Sequence, residues 1–182
     1  SDKKFPVFGF GAKYGGVIQH CFQVGEQPEL HGINGVLEGY RGVFRTGLTM
    51  SGPTVFDEVI SYAAAAARSQ QEASKRIGKQ SYRLLLILSD GAVTDLERTK
   101  RAIQAASDAP LSIVLVGIGN ADFSAMQELD DYSPGRDIVQ FVQFSDHAND
   151  RSSITVATLE EIPDQLVDYF TGQGTMPLPP IS

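Results

Sequence analysis

Apolar residues along the 182-residue chain fall into two kinds of pattern, unbroken runs and helical stripes. The clearest run is Arg83-Leu84-Leu85-Leu86-Ile87-Leu88-Ser89-Asp90-Gly91, aliphatic until it stops abruptly at Ser-Asp-Gly. A continuous run of this kind predicts a strand buried on both faces, central in a parallel sheet. Leu111 to Gly117 and Ile138 to Phe144 predict two more strands. Ile33, Val36, Leu37, Tyr40 and Phe44 are spaced for a one-sided helix over 32–44. Thr54 is expected to open a second helix, with Asp57 three residues later and Phe56, Val59, Ile60, Ala63 and Ala67 inward. A third helix begins at Thr94, turns Leu96, Ala102, Ile103 and Ala106 inward, and is closed by Pro110. A short helix over 123–129 and a final one bearing Leu159, Ile162, Leu166, Tyr169 and Phe170 complete the set. Near the start, Phe5 to Phe10 and His20 to Val24 predict a strand pair around a turn at 11–16. Residues 25–30 and 46–53 read as loops, and 69–80 as a helix end with an exposed loop.

Strands alternating with helices through the second half predict an α/β fold: a doubly wound, mostly parallel sheet with helices on both faces. The N-terminal strand pair falls at its edge side. One domain over 1–174 and a Pro-rich tail over 175–182 are expected. Asp90 then lies at the carboxyl end of a strand, where ligands bind open α/β sheets.

Composition narrows the function. A formal charge of −7 argues against nucleic acid, whose affinity rests on Lys and Arg neutralising phosphates, and disfavours direct docking on anionic lipid. The single Cys21 forms no internal disulfide, which favours a reducing, intracellular location. Three histidines and one cysteine show no zinc spacing. No apolar run reaches the roughly 20 residues of a membrane span. The chain opens on Ser-Asp-Lys-Lys rather than Met and so reads as a piece of a longer or trimmed chain.

Familiar motifs fail on inspection. Gly9-Phe-Gly11-Ala-Lys-Tyr14 and Gly117-Ile-Gly119-Asn-Ala-Asp122 both lack the third glycine of a dinucleotide fingerprint, and no phosphate-binding G-x-x-x-x-G-K-[ST] occurs. Neither G-x-S-x-G nor H-E-x-x-H is found. Asp130-Asp131 and Glu160-Glu161 read as solvated charges. Two residues remain. Asp90 fits an ordinary turn after a strand, and Thr54 fits a helix N-cap. Taken together, they are a carboxylate and a hydroxyl, hard oxygen donors suited to Mg²⁺ with water completing the octahedron.

Phe8-Gly-Phe-Gly-Ala12, Gly52-Pro-Thr54, Leu88-Ser-Asp-Gly91, Leu111 to Phe123, Asp137-Ile-Val-Gln-Phe-Val142 and Glu161-Ile-Pro-Asp-Gln-Leu-Val-Asp-Tyr-Phe170 resemble the copine family. The likeness covers nearly the whole chain, in order, and corresponds to the family's C-terminal domain, similar to von Willebrand factor A. The resemblance implies a cytoplasmic protein that reaches membranes peripherally. Calcium-dependent phospholipid binding would come through C2 domains not present here, while this domain recruits other proteins. It also implies a Mg²⁺ or Mn²⁺ site built from D-x-[ST]-x-S on a first strand plus a later threonine and aspartate. Thr54 and Asp90 match those last two positions. The D-x-[ST]-x-S element is absent, because the sequence begins where the family's second strand would, and the strand edges left exposed invite self-association. The expectation is therefore a non-catalytic interaction module with a partial metal site. An enzyme component, of ubiquitin-ligase or kinase type, and a structural domain with a vestigial site are the alternatives. A ubiquitin ligase of this type needs a C-terminal Cys/His cluster, and a kinase needs a glycine-rich loop, a paired lysine and H-R-D, and none of these is visible.

Overall fold

The computed structural model describes residues 3–14, 16–91, 93–147 and 150–176. Short N-terminal strands are β1 (Lys4–Phe5), β2 (Phe8–Gly9), β3 (Ala12–Tyr14), β4 (Val17–Gln19), β5 (Phe22–Gln23) and β6 (Leu30–His31). Helix α1 (Gly32–Val43), strand β7 (Thr49–Met50) and helix α2 (Asp57–Lys75) follow. The second half alternates as expected: β8 (Arg83–Ser89), α3 (Leu96–Ala106), β9 (Leu111–Gly117), α4 (Ser124–Asp130) and β10 (Val139–Gln143). Helices α5 (Arg151–Leu159) and α6 (Ile162–Gly172) end the described fold. The tail from residue 177 onward lies outside the described residues.

The main sheet is parallel, in the order β10-β9-β8, with Arg83 opposite Leu111 and Val139 opposite Ile113. All of β9 is buried. Its odd positions Leu111, Ile113 and Leu115 join a core with Phe56, Ile60, Ala63 and Ala67 of α2 and Ile103 and Ala106 of α3. On the even side, the Ser112 hydroxyl meets Tyr82 Oη at 2.7 Å, and the Tyr82 ring packs on Tyr169 of α6, 5.9 Å away. Helices therefore cover both faces at β9. Ala63, Ala64 and Ala67 of α2 allow this close approach, and Ala64 and Ala67 are almost wholly buried.

The central position belongs to β9, and this corrects the expectation for β8. Among the described residues β8 pairs on one side only, its other side being where the family resemblance places the absent first strand. Its burial alternates: Ile87 is buried, while Leu84, Leu86 and Leu88 remain 47%, 51% and 53% exposed. An aliphatic run records strand propensity but not how many faces are covered.

The N-terminal third differs more. The expected pairing is present where Phe8 faces Gln23 and Gly9 faces Phe22. The expected turn at 11–16 instead holds β3, which pairs with β4 and with β7, a strand inside the expected 46–53 loop. Residues 30–31, partly in an expected loop, pair with 4–5. These are separate antiparallel sheets rather than extensions of the parallel one.

Helix α1 has the predicted span but not the predicted orientation. Ile33, Leu37, Tyr40 and Phe44 face outward, and the glycine side turns in. A Cβ on Gly39 would lie 2.6 Å from Leu30 Cδ1, so the absence of side chains lets α1 lie against β6. The single terminal helix expected around Leu159–Phe170 is two helices, broken at Glu160–Glu161, with Pro163 in the first turn of α6.

Candidate functional site

Thr54 lies in the segment joining β7 to α2. Helix α2 begins at Asp57 with Phe56 as its cap residue and no side-chain cap bond, so Thr54 does not cap it. Its position is fixed from two sides. Val55 and Phe56 are completely buried. The Thr54 amide donates to Thr94 Oγ1 at 3.0 Å, and the Thr94 amide donates to the Thr54 carbonyl at 2.8 Å. With its backbone so engaged, the Thr54 hydroxyl makes no hydrogen bond with another described residue. The preceding Gly52-Pro53 peptide is cis.

Asp90 follows the last residue of β8 and is exposed. Ser89 holds the turn: its hydroxyl donates to the Gly91 carbonyl at 3.0 Å, and its own carbonyl accepts from the Ile118 amide at 2.8 Å. The loop then buries Val93 and reaches Thr94. Helix α3 starts after Asp95, whose carboxylate accepts from the Arg98 amide at 2.9 Å, so the cap is Asp95 rather than Thr94. The reciprocal Thr54–Thr94 pair thus fastens the Thr54 segment to the loop that begins at Asp90. Sequence reading found Thr54 and Asp90 but missed Thr94 as the fastener, because a residue 40 positions away leaves no local signal.

The acidic start of α2 is already engaged. Arg98 Nε donates to Asp57 Oδ2 at 2.6 Å and approaches Glu58 at 3.6 Å. Asp57 Oδ1 is buried without a partner among the described residues. No group of three or more His, Cys, Asp or Glu side chains suited to a metal occurs among them. The donors present match Mg²⁺ in kind, since all are hard oxygens, but two of them fall short of six in number.

Cys21 is a poor nucleophile. Burial, and then the negative charge of Glu58, pushes its thiol above the ordinary value, which disfavours the reactive thiolate. Two surface depressions, of about 330 and 530 Å³, are lined by Asp122, Ser124 and Gln143, and by Lys4, Tyr62 and Arg83, among others. Neither includes Thr54 or Asp90. Among the described residues no helix is long and apolar enough to cross a membrane.

The result is an α/β domain with a parallel sheet, whose candidate donors sit on joined surface loops rather than in an enclosed pocket. Comparison with known proteins gives the family. The copine family model matches residues 1–177. Copine-E of Dictyostelium discoideum is 41% identical over 189 residues, covering 97% of this chain and 32% of that protein. Protein BONZAI 1 of Arabidopsis thaliana is 40% identical over 195 residues, covering 99% of this chain and 33% of that protein. The chain belongs to the copine family, and it spans about a third of the length of these curated relatives.

Proposed function

We propose that this domain is a non-catalytic protein-interaction module whose surface at Thr54 and Asp90 engages a partner, with Mg²⁺ or Mn²⁺ as the bridge. The observation that carries the reading is the Thr54–Thr94 pair, which holds the two loops together without consuming either candidate donor's side chain. In this reading Asp90 supplies charge and Thr54 a neutral oxygen, with water in the other positions. A bound divalent ion offers a Lewis-acidic position to a carboxylate on a partner. The chain's own residues hold the loops in place and keep the site open.

An open site suits a macromolecule better than a small substrate, which needs an enclosing pocket. By the copine resemblance, the sheet belongs to a doubly wound, von Willebrand factor A-like arrangement whose D-x-[ST]-x-S strand would add the remaining ligands. Calcium-dependent phospholipid binding, cytoplasmic location and peripheral membrane association are proposals for the whole protein, through C2 domains outside this chain. The acidic balance of −7 supports protein partners over nucleic acid.

Calorimetric titration with Mg²⁺ and Mn²⁺, beside Asp90→Ala, tests the reading. Weak saturable binding that falls at least tenfold in the variant is expected. Binding unchanged in Asp90→Ala would overturn the assignment. No binding to either protein would leave the vestigial, structural reading in its place.

A further inference from the structure

Helix α2 ends in a tight knuckle just before β8. Gly78 takes a left-handed φ of 67°, and two backbone bonds close around it. The Gly78 amide donates to the Lys75 carbonyl at 3.1 Å, and the Lys79 amide to the Ser74 carbonyl at 2.9 Å. This is the pairing of a Schellman turn, whose left-handed position favours glycine. Such a turn frequently folds an apolar residue from the position of Lys79 back onto the helix; here that residue is charged. Lys75, Arg76, Ile77 and Lys79 are all exposed, and Ile77 retains 69% of its surface. The three cations form no ion pair among the described residues. Residues 73–89 contain Lys75, Arg76, Lys79 and Arg83 and no Asp or Glu, in a chain of charge −7. The helix dipole accounts for cations in the last turn, but not for Lys79 beyond it or for an exposed isoleucine among them.

We propose that this knuckle is a calcium-independent contact for an anionic membrane surface, with Ile77 entering the interface and Lys75, Arg76 and Lys79 set over the headgroups. Shape decides the partner. An extended acidic peptide needs a groove or a strand edge, and neither of the two surface depressions includes any residue from 75 to 80. An exposed turn with one apolar side chain among cations fits a bilayer interface, which yields around it. The net charge of −7 opposes docking of the domain as a whole, but at physiological salt an exposed charge is felt over only about 8 Å. The local balance therefore governs this contact. Each Lys or Arg near an anionic leaflet is worth about fivefold in affinity, and one partly buried isoleucine adds roughly as much again. Binding is weak and reversible, half complete at roughly millimolar lipid. Strand β8 runs from Arg83 to Ser89, about 20 Å, so a membrane at the knuckle leaves Thr54 and Asp90 at the far end, facing away from it. The contact does not depend on the metal reading of that far end.

The test is flotation of the whole chain with millimolar vesicles, calcium being chelated throughout. Vesicles of phosphatidylcholine alone are compared with an equal mixture of phosphatidylcholine and phosphatidylserine. Three variants accompany the parent: Lys75→Gln, Arg76→Gln and Lys79→Gln together, Ile77→Ser, and Ile77→Trp. The last supplies a single indole to a chain that has no tryptophan. Binding is expected to the mixed vesicles only and to fall as salt is raised. It should weaken at least tenfold in the triple variant and severalfold in Ile77→Ser, with unchanged circular dichroism, and the Ile77→Trp emission should shift to the blue on the mixed vesicles. A chain that does not float with the mixed vesicles overturns the proposal. So does flotation that the triple variant retains, or an indole whose emission does not move. A glutamate-rich peptide that binds the parent more tightly than the vesicles do, and loses to the triple variant, would reassign the knuckle to an acidic protein partner.

Discussion

Replacing Arg136 by Ala should be among the most damaging single changes away from the apolar core. Strand β10 begins at Val139 opposite Ile113, so the Leu111 end of β9 extends beyond its neighbour. The Arg136 guanidinium occupies that place. It donates to the carbonyls of Ala109 at 2.7 Å, Leu111 at 2.9 Å and Gln165 at 3.0 Å, and to Tyr82 Oη at 3.1 Å. It also lies 5.4 Å from the Tyr169 ring centroid. The Leu111 carbonyl matters most, because Leu111 is completely buried and its acceptor has little access to water, whereas the Ala109 carbonyl also accepts from the Leu111 amide at 2.8 Å. Stranding such a group costs about 1–3 kcal/mol, and a partly desolvated cation–π contact adds about 1 kcal/mol. Because these terms share one side chain and are not additive, a total of about 4 kcal/mol is expected. For a domain of this size that lowers Tm by roughly 8–16 °C. Arg136→Lys keeps the charge but not the fork of donors, and should lose about half as much. Urea unfolding with paired Tm measurements reads both. A loss below about 1 kcal/mol for Arg136→Ala would refute the claim that this side chain substitutes for missing strand.

Three further outcomes follow from the same geometry. Thr94→Val removes the oxygen that accepts the Thr54 amide; it should cost about 1 kcal/mol and broaden the Thr54 amide signal in NMR spectra, with Thr94→Ser restoring both. Burial raises the carboxyl pKa of Asp130 above its ordinary 3.8, and burial followed by the Asp130 charge raises that of Glu161 above 4.5. Raised native values mean that these groups contribute stability fully below the ordinary carboxylate range and lose it as pH rises through the raised values. Denaturant midpoints should therefore show a downward step across that window, smaller in Asp130→Asn, and an unchanged step would contradict the assignment. Gly9→Val sets a side chain where a Cβ would come within 2.3 Å of the Phe22 ring, so it should disturb the β2–β5 pairing and cost roughly 1–3 kcal/mol.

Much of the second half was legible from periodicity alone, because each run or stripe there is long enough to fix one element. Ala102, Ile103 and Ala106 are buried as their spacing demands. What the pattern could not give was position within the sheet. Leu84–Leu88 and Leu111–Val116 look equivalent as sequences, yet among the described residues one is paired on one side and the other on both. That difference depends on neighbours far along the chain. In α1 the larger residues marked the wrong face, since Gly35 and Gly39 on the other side permit a closer approach to Leu30. The N-terminal strands are two or three residues long, too short for any periodic signal. At the candidate site, Thr54 and Asp90 were visible as residue types, while Thr94, which ties their loops together, was not.

The most direct test of the interaction-module account is paramagnetic mapping of Mn²⁺ by NMR on the whole chain. The account expects line broadening centred on the amides of residues 52–54 and 90–94, abolished by Asp90→Ala. Broadening centred instead on Asp130, Asp131 and Asp137, or spread over the acidic surface without a centre, would contradict it.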